Sequence, residues 1–166
     1  VEPGFEKIFL VPATGGSPRQ LTFGPYHDGG PLSWSRDGRT LYFAANRKAV
    51  WETDPLESEV HALDVASGRI AALTDRNGPD ANPLVSPDGG KIAYLGFDDA
   101  RRAYENTNLY VMNPDGSGHE YVELPDPFTT NVAFGGPDRK TAYITLSGAG
   151  RLVSLDWPRA GLALAN

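Results

Sequence analysis

Three short segments of the sequence each carry Asp, His or Asn immediately before a predicted strand. These segments are Tyr26–Gly29, Pro79–Asn82 and Phe128–Asn131. Carboxylate, amide and imidazole side chains are ligands of Ca²⁺, Mn²⁺ and Zn²⁺, and such an ion with an open position activates a bound water. If the segments converge, they predict a divalent-metal site in which Asp80 or His27 accepts the proton of that water. The predicted ligands are His27, Asp28, Asp80, Asn82 and Asn131.

A purely structural role for the same residues stays open. Asp and Asn before a strand are common turn formers, and His27 could bond only to a neighbouring carbonyl group. Three further aspartates are interpreted as turn residues, because each stands in an Asp-Gly or Pro-Asp pair; they are Asp37, Asp88 and Asp138. A motif indicates chemistry only in its predicted structural context.

Other sequence motifs for chemistry are absent. His61 falls on a predicted strand and His119 in a Gly-rich turn, so both are interpreted as ordinary strand or surface histidines. The sequence has no His-Glu-x-x-His metalloprotease pattern, no P-loop and no dinucleotide fingerprint. No organic cofactor is therefore expected.

The elements that must position the candidate residues come from an internal repeat. Three segments have the form strand, tight turn, strand, and their turn aspartates recur after 51 and then 50 residues. Asp-Gly between runs of aromatic and β-branched residues is a strong hairpin signal, since Gly takes positive φ and Asp can bond its own backbone. The three segments are Pro31–Phe43, Asn82–Tyr94 and Asn131–Tyr143.

A second half-repeat, also strand, turn, strand, occurs at Ile8–Thr22, Val60–Thr74 and Asn108–Leu124. Four short antiparallel strands recurring every 40–50 residues, roughly, are typical of a β-propeller blade. The regular period favours this all-β fold over a β-sandwich of short strands.

The predicted blades do not complete a ring. The chain divides into a partial blade at 1–23, blades at 27–75 and 79–125, and a partial blade at 128–166, which is about three blades, whereas propellers need about four to eight. We therefore expect a homodimer that closes a six-bladed ring by strand exchange between chain ends, or a higher closed ring, rather than a monomer. In that arrangement Gly150–Trp157 and Ile8–Pro12 compete for the third strand of one blade.

Composition excludes several classes. The 166 residues carry a net charge of −6 and no Cys, which leaves no disulfide, no Cys-ligated zinc and no thiol nucleophile. No Lys/Arg cluster suited to phosphate groups is present, so no nucleic-acid partner is expected. Apolar stretches are too short to span a bilayer, so we expect a soluble protein without a membrane partner. No signal peptide is visible at Val1–Phe5.

Residues 15–118 resemble the propeller of bacterial prolyl-oligopeptidase-type serine peptidases, which share the TolB-like repeat. The resemblance is carried by Gly16–Phe23, His27–Ser35, Ser86–Gly89 and Asn108–Asn113. In that family the propeller gates and binds peptide, and catalysis lies in an α/β-hydrolase domain. This sequence has no G-x-S-x-G nucleophile elbow.

Residues 128–166 are similar to the C-terminal end of the SMP-30/gluconolactonase family. The similarity is carried by Thr130–Asp138, Thr141–Thr145 and Gly150–Leu164. It implies a six-bladed, divalent-metal-dependent lactonase fold whose members also hydrolyse organophosphate esters. That family's metal ligands lie earlier in its chain, so none is transferred to a residue here. The change of resemblance near Leu124–Phe128 suggests a fusion of two fragments, which an unbroken homologue across the junction would contradict.

Two functions follow from the sequence. The first is a metal-dependent hydrolase of small esters, lactones or phosphotriesters, with its site at the mouth of the central channel. The alternative is a non-catalytic scaffold or peptide-binding module that lacks a peptidase domain. A propeller fold alone does not decide between them.

Overall fold

The computed structural model describes residues 4–102, 105–121, 123, 126, 129–157 and 160–161, with side chains left out at 129–132. These residues form strands, turns and bends, and none of them is helical. Among them there is consequently no helix with the length and apolar character needed to cross a bilayer. The predicted all-β class is confirmed.

Thirteen strands lie in the described residues. They are β1 Phe9–Leu10, β2 Arg19–Gln20, β3 Ser33–Trp34, β4 Thr40–Ala45, β5 Glu59–Asp64, β6 Ile70–Ala72, β7 Asp80–Val85, β8 Ile92–Gly96, β9 Asn108–Met112, β10 Glu120–Tyr121, β11 Thr129–Gly135, β12 Thr141–Leu146 and β13 Arg151–Asp156. Each strand pairs antiparallel with a strand next to it in the chain, in the sheets β1-β2, β3-β4-β5-β6, β7-β8-β9-β10 and β11-β12-β13. The four-stranded blade predicted from the repeat is confirmed in the second and third sheets.

The chain divides into two compact units, Val1–Val122 with β1 to β10 and Glu123–Asn166 with β11 to β13. In the second unit β12 pairs with β11 on one side and with β13 on the other, and Ala142, Ile144 and Leu146 of β12 are buried. The segment Gly150–Trp157 therefore supplies the third strand of this sheet, as one of the two competing assignments predicted. Closure of the ring by a second copy stays a prediction.

The repeated turns are built by their aspartates. Oδ1 of Asp37 accepts hydrogen bonds from the Ser35 hydroxyl at 2.7 Å and from the Arg39 N–H at 3.1 Å. Oδ1 of Asp88 accepts the equivalent bonds from Ser86 and Gly90 at 2.6 and 2.9 Å. The interpretation of these aspartates as turn residues is confirmed.

The core of the first unit lies on both faces of β4. Leu41 and Phe43 belong to a cluster with Ile8, Leu21, Ala45 and Leu63, whereas Tyr42 points to a second cluster with Val60, Ile92, Tyr94 and Met112. Alternate residues of a strand face opposite sides, so a strand covered on both faces carries an unbroken apolar run. Burying one such side chain stabilises the fold by about 1.5–3 kcal/mol.

Candidate functional site at the loop end of the first unit

One end of the strands in the first unit gathers the buried charged groups. Ala45 pairs with Glu59, and Asp80 pairs with Gly96, at the ends of their respective sheets. The Asp80 N–H donates to the Ser58 carbonyl oxygen at 2.7 Å, which places the two ends side by side. We call this region, with the described connecting segments 23–30, 46–58, 74–79, 97–102 and 105–107, the loop end.

His27 lies at the loop end within an aromatic cluster. Its ring centroid is 5.3 Å from that of Phe5 and 5.6 Å from that of Trp51, in edge-to-face arrangements. The Glu6 N–H donates to His27 Nδ1 at 3.4 Å. Since Nδ1 accepts, a neutral ring carries its hydrogen on Nε2. The exposed His27 side chain therefore presents a hydrogen-bond donor to a ligand.

Asp28 is 1% exposed and is already paired with cations. Lys7 Nζ lies 3.3 Å from its Oδ2, and Arg47 Nη1 is hydrogen-bonded to its Oδ1. Arg47 also donates to the Phe23 carbonyl oxygen at 3.1 Å. A buried carboxylate needs such pairing because desolvation of an isolated charge is costly. Asp28 thus ties the N-terminal segment to the loop after β4.

Asp80 is the first residue of β7 and is 0% exposed. Its Oδ1 pairs with Arg76, while Oδ2 has no hydrogen-bond partner among the described residues. Burial raises the pKa of Asp80, and Arg76 opposes that rise. Gly96 makes room for this carboxylate, because a side chain there would collide with Oδ1 and with the Pro79 carbonyl oxygen. Asp80 is therefore a buried partner of Arg76.

Arg76 links Asp80 to the aromatic side chains of the second four-stranded sheet. Its guanidinium carbon lies 3.7 Å from the ring centroid of Tyr110 and 5.8 Å from that of Tyr94. The Tyr94 hydroxyl is 2.9 Å from His119 Nδ1. An arginine that stacks on an aromatic face while it pairs with a carboxylate is held in one orientation.

The two remaining predicted ligands are Asn82 on β7 and Asn131 on β11. Asn82 has a φ of 54°, in the left-handed region, where the pairing of β7 with β8 shifts register. It lines a cavity of about 250 Å³ together with Pro79, Ala81, Leu95, Gly96, Phe97 and Thr107. Asn131 lies in β11 of the second unit, and its side chain is outside the part of the chain that the structure describes.

Among the described residues, three of the predicted metal ligands already have partners within the protein. Both Asp28 oxygens contact cations, Asp80 Oδ1 contacts Arg76, and His27 Nδ1 is used by the Glu6 N–H. Across the described ranges no three His, Asp or Glu side chains come together as a possible metal-binding group. The predicted set of five ligands therefore stays a prediction, and we derive no chemical step through a metal.

The sequence interpretation missed a second buried group of charges at the same end. Glu57 and Glu59 are each 5% exposed. Glu57 Oε2 pairs with Lys48, and its Oε1 accepts from the Gly78 N–H at 3.1 Å. Lys48 Nζ is also 3.7 Å from Glu59 Oε1. In sequence these glutamates alternate with Ser58 and Val60, a pattern that normally indicates a solvent-facing side of a strand.

Glu59 lies in an enclosed polar setting. Its Oε2 accepts from the Thr74 hydroxyl at 2.7 Å, whereas Oε1 has no hydrogen-bond partner within the described residues. Burial raises the pKa of Glu59 to about 7, although Thr74 and Lys48 both oppose the rise. Glu59 lines a cavity of about 240 Å³ with Arg47, Lys48, His61, Ala72, Thr74 and Asp75. The sequence does carry a weak signal for Thr74. The pair Leu-Thr ends two of the half-repeats, at 21–22 and at 73–74, which indicates a shared role for the threonine.

A family model described as the SMP-30/Gluconolactonase/LRE-like region matches residues 30–148. The match covers more than half of the chain. It also extends to both sides of the junction predicted near residues 124–128, and the fusion of two fragments stays a prediction.

Two curated relatives show partial similarity. An uncharacterised protein of Agrobacterium fabrum is 30% identical over 124 residues, which are 74% of this chain and 37% of the relative. A 6-deoxy-6-sulfogluconolactonase of Pseudomonas putida is 34% identical over 84 residues, which are 47% of this chain and 29% of the relative. The chain thus spans well under half the length of these relatives.

A solved structure supports the fold. The putative TolB from Agrobacterium tumefaciens superposes with a TM-score of 0.57 at 26% identity, over 87% of this chain and 47% of that one. The resemblances to the TolB-like repeat and to the SMP-30/gluconolactonase family, predicted from the sequence, are both confirmed. The β-propeller prediction is confirmed with them.

Proposed function

We propose, from the premise that this chain belongs to the SMP-30/gluconolactonase/LRE-like family, that it forms part of a lactonase-like hydrolase acting at the loop end. The name of the Pseudomonas putida relative, a sulfogluconolactonase, supports hydrolysis of a lactone. The proposed substrate class is small esters, lactones or phosphotriesters. Because the chain spans a minority of that relative, the proposal concerns the protein in which this chain occurs.

The observation that carries the proposal is the concentration of buried carboxylates at one end of the sheets. Asp28, Glu57, Glu59 and Asp80 are all at most 5% exposed, and all lie at the loop end. Burying charged groups costs free energy, and carboxylates with perturbed pKa values gathered in one place mark a candidate site of recognition or chemistry. The raised pKa values of Asp80 and Glu59 belong to the same pattern.

When water adds to the carbonyl carbon of a lactone, the carbonyl oxygen gains negative charge and the proton of the added water passes to solvent. The intermediate then collapses with cleavage of the ring C–O bond, the leaving oxygen takes up a proton from solvent, and the product is the open-chain hydroxy acid. A hydrogen-bond donor fixed at the carbonyl oxygen stabilises the transition state. His27 suits this role, since the Glu6 N–H at Nδ1 leaves the hydrogen on Nε2 and the ring is held by Phe5 and Trp51. In a phosphotriester the phosphoryl oxygen takes the place of the carbonyl oxygen.

For Asp80 we propose a positioning role, in place of the metal-binding and proton-accepting roles predicted from the sequence. Its 0% exposure keeps attacking water away from the carboxylate, so it acts as a positioning residue for Arg76. Arg76 in turn is held against Tyr110.

The test measures acid release from D-glucono-1,5-lactone and from paraoxon by the protein containing this chain. His27→Phe keeps an aromatic ring against Phe5 and Trp51 but removes the donor, and we expect kcat to fall about 100-fold or more. His119→Phe, at another exposed histidine, serves as the matched control and should leave kcat unchanged. Equal activity of both variants, or no hydrolysis by the parent, would refute the proposal. An inert parent that binds peptides would favour the scaffold alternative.

A further inference from the structure

The rings of His27 and Trp51, at the loop end, form an aromatic cluster with the ring of Phe5. We infer that this cluster binds an organic cation, namely the quaternary ammonium or alkylammonium group of a small ligand. The inference goes beyond the proposed hydrolysis, because binding of a cation needs no ester bond in the ligand. Only the further statement that the cation belongs to the hydrolysed substrate rests on the proposed function.

The first argument is the arrangement of the three rings. The His27 centroid lies 5.3 Å from that of Phe5 and 5.6 Å from that of Trp51, and the Phe5 and Trp51 centroids are 6.0 Å apart. The ring planes cross at angles of 63°, 73° and 79°. The face of an aromatic ring is negative and attracts a cation within about 6 Å of its centroid. Rings packed so closely at steep angles let one compact cation interact with more than one of them.

The second argument is that the cluster is both exposed and held in place. Phe5 is 40% exposed, His27 is exposed and Trp51 is partly exposed. The Glu6 N–H donates to His27 Nδ1 at 3.4 Å, and the Trp51 N–H donates to the Lys48 carbonyl oxygen at 3.2 Å. Clustered aromatic surface that remains exposed marks a place where a protein meets a ligand. Groups already held in position lose little entropy when that ligand binds.

The third argument is the charge beside each ring. An acidic residue follows each of the three ring-bearing residues in the chain, in the pairs Phe5-Glu6, His27-Asp28 and Trp51-Glu52. Asp28 is buried and already paired with cations. Glu6 and Glu52 are exposed, and neither forms a salt bridge with another described residue. Two uncompensated carboxylates therefore flank the cluster and complement a cationic ligand.

The charge of the whole loop end has the same sign. Its connecting segments carry eight Asp or Glu residues and five Lys or Arg residues, and Glu59 and Asp80 at the strand ends add two more acids. A region lined by one sign of charge raises the local concentration of ligands of the opposite sign and disfavours ligands of its own sign. A neutral apolar ligand gains nothing from this field, so the charge favours a cation as the occupant.

An ammonium group of the chain itself already lies beside the cluster. Lys7 Nζ is 5.5 Å from the centroid of the Phe5 ring and 3.3 Å from Oδ2 of Asp28. This contact shows an ammonium group held jointly by an aromatic ring and a carboxylate. The face of Trp51 has no cation of the described residues over it. Trp51, with Glu52 next to it in the chain, therefore offers the position for a cation from a ligand.

The experiment compares three probes of nearly the same shape and different charge. Choline is cationic, 3,3-dimethylbutan-1-ol is its neutral isostere and 3,3-dimethylbutanoate is an anion, and none of them contains an ester bond. Each is titrated with the protein at constant ionic strength and followed by ligand-observed NMR. We expect choline to bind with a Kd of about 1 mM and the alcohol and the anion to bind at least about fivefold more weakly. Equal or tighter binding of the alcohol or the anion, or no binding of choline, would overturn the inference.

Substitutions of the rings locate the site. Trp51→Leu should weaken choline binding about threefold or more, whereas Trp51→Phe should retain most of it, because it keeps an aromatic face. Phe5→Leu provides a second test if Trp51→Leu fails to fold. Trp34→Leu is the matched control, since Trp34 is 44% exposed and pairs with Leu41, at the end of β4 away from the loop end. Choline binding that neither Trp51→Leu nor Phe5→Leu weakens would place the cation elsewhere and refute the inference.

Substitution of the two carboxylates separates charge from shape. Glu6→Gln combined with Glu52→Gln should weaken choline binding about threefold and leave binding of the neutral alcohol unchanged. An unchanged affinity for choline would contradict the inference. Choline binding without hydrolysis of any lactone or ester would support the inference while the proposed function fails. Lactone hydrolysis without choline binding would refute the inference and leave the proposed function standing.

Discussion

The Thr74 hydroxyl donates a hydrogen bond of 2.7 Å to Oε2 of Glu59. Thr74 Oγ1 in turn accepts the Val60 N–H at 2.9 Å, so one hydroxyl continues the ladder beyond β6 and fixes a buried carboxyl. The preceding sheet repeats the backbone half of this arrangement, since Thr22 Oγ1 accepts the Ile8 N–H at 3.0 Å. The Leu-Thr pairs of the repeat thus complete the sheet with a side chain.

Thr74→Val should destabilise the first unit by about 1–3 kcal/mol, because the Val60 N–H and the Glu59 carboxyl each lose a buried partner while the shape is kept. Urea unfolding followed by tryptophan fluorescence measures the change. Thr53→Val is the control, since Thr53 is exposed and its hydroxyl donates to the Val50 carbonyl oxygen in a local turn. Equal midpoints for the two variants would show that the Thr74 hydroxyl has no special role.

The stability of the chain should depend on the protonation of Glu59. Burial raises its pKa to about 7 in the folded state, so the folded state holds this proton more tightly than the unfolded state does. The stabilisation of the fold by this proton is complete below the pKa of Glu in the unfolded state, about 4.3, and is lost as the pH rises through 7. Its size is up to about 3 kcal/mol.

Glu59→Gln tests this titration, because the amide cannot ionise. Unfolding free energies measured between pH 5 and 8 should fall with pH in the parent and fall less steeply in the variant. Asp115→Asn, at an exposed turn residue, should leave the slope of the parent unchanged over this range. Parallel slopes for the parent and Glu59→Gln would contradict the assignment.

Substitution of Arg47 should lower the free energy of unfolding far more than substitution of an exposed arginine. Arg47→Met leaves Asp28 buried with Lys7 alone, and breaking a buried pair from one side costs about 3–5 kcal/mol. Arg39→Met breaks the pair with Asp37, whose side chains are 83% and 61% exposed, and exposed pairs contribute about 0–1 kcal/mol. The thermal unfolding midpoints of the two variants measure these two losses of stability. Similar losses would mean that the Asp28 pair is not a buried ion pair.

Added Ca²⁺, Mn²⁺ or Zn²⁺ should not raise the unfolding midpoint of this chain. Binding to the folded state alone would raise it, but Asp28 and Asp80 already contact cationic side chains. The measurement is a thermal shift with each ion in excess, repeated with chelator. If an ion raises the midpoint, chelator reverses the rise and Asp28→Asn abolishes it, the result would contradict this expectation and support the predicted metal ligands.

The fold could be predicted from the sequence because the contacts that build its turns and sheets join residues close together in the chain. Asp37 and Asp88 each bond within their own turn, and the flanking strands pair with their neighbours in the chain. The charged contacts are not local. Asp28 bonds to Arg47 at a separation of 19 residues, and Glu57 bonds to the Gly78 N–H at a separation of 21.

Asp80 shows why the site could be predicted only in part. The repeat placed Asp80 just before a strand, whereas the structure makes it the first residue of β7. Its burial depends on Gly96 opposite and on Arg76 stacked against Tyr110. Neither contact leaves a periodic signal in the sequence. Residue type indicated a metal ligand, whereas packing made this carboxylate the partner of an arginine.

Across the described sheets, every strand hydrogen-bonds only to strands adjacent to it in the chain. The segment 46–58 joins β4 to β5, and the described residues 97–102 and 105–107 lie between β8 and β9. These described residues, which include Lys48, Glu57 and Phe97, take no part in the strand ladders. Insertions and deletions there leave the pairing order intact. The loop end can therefore diversify in evolution by changes of loop length. Tandem duplication of one blade-length segment can also supply a further copy of that end while the existing strands keep their pairing partners.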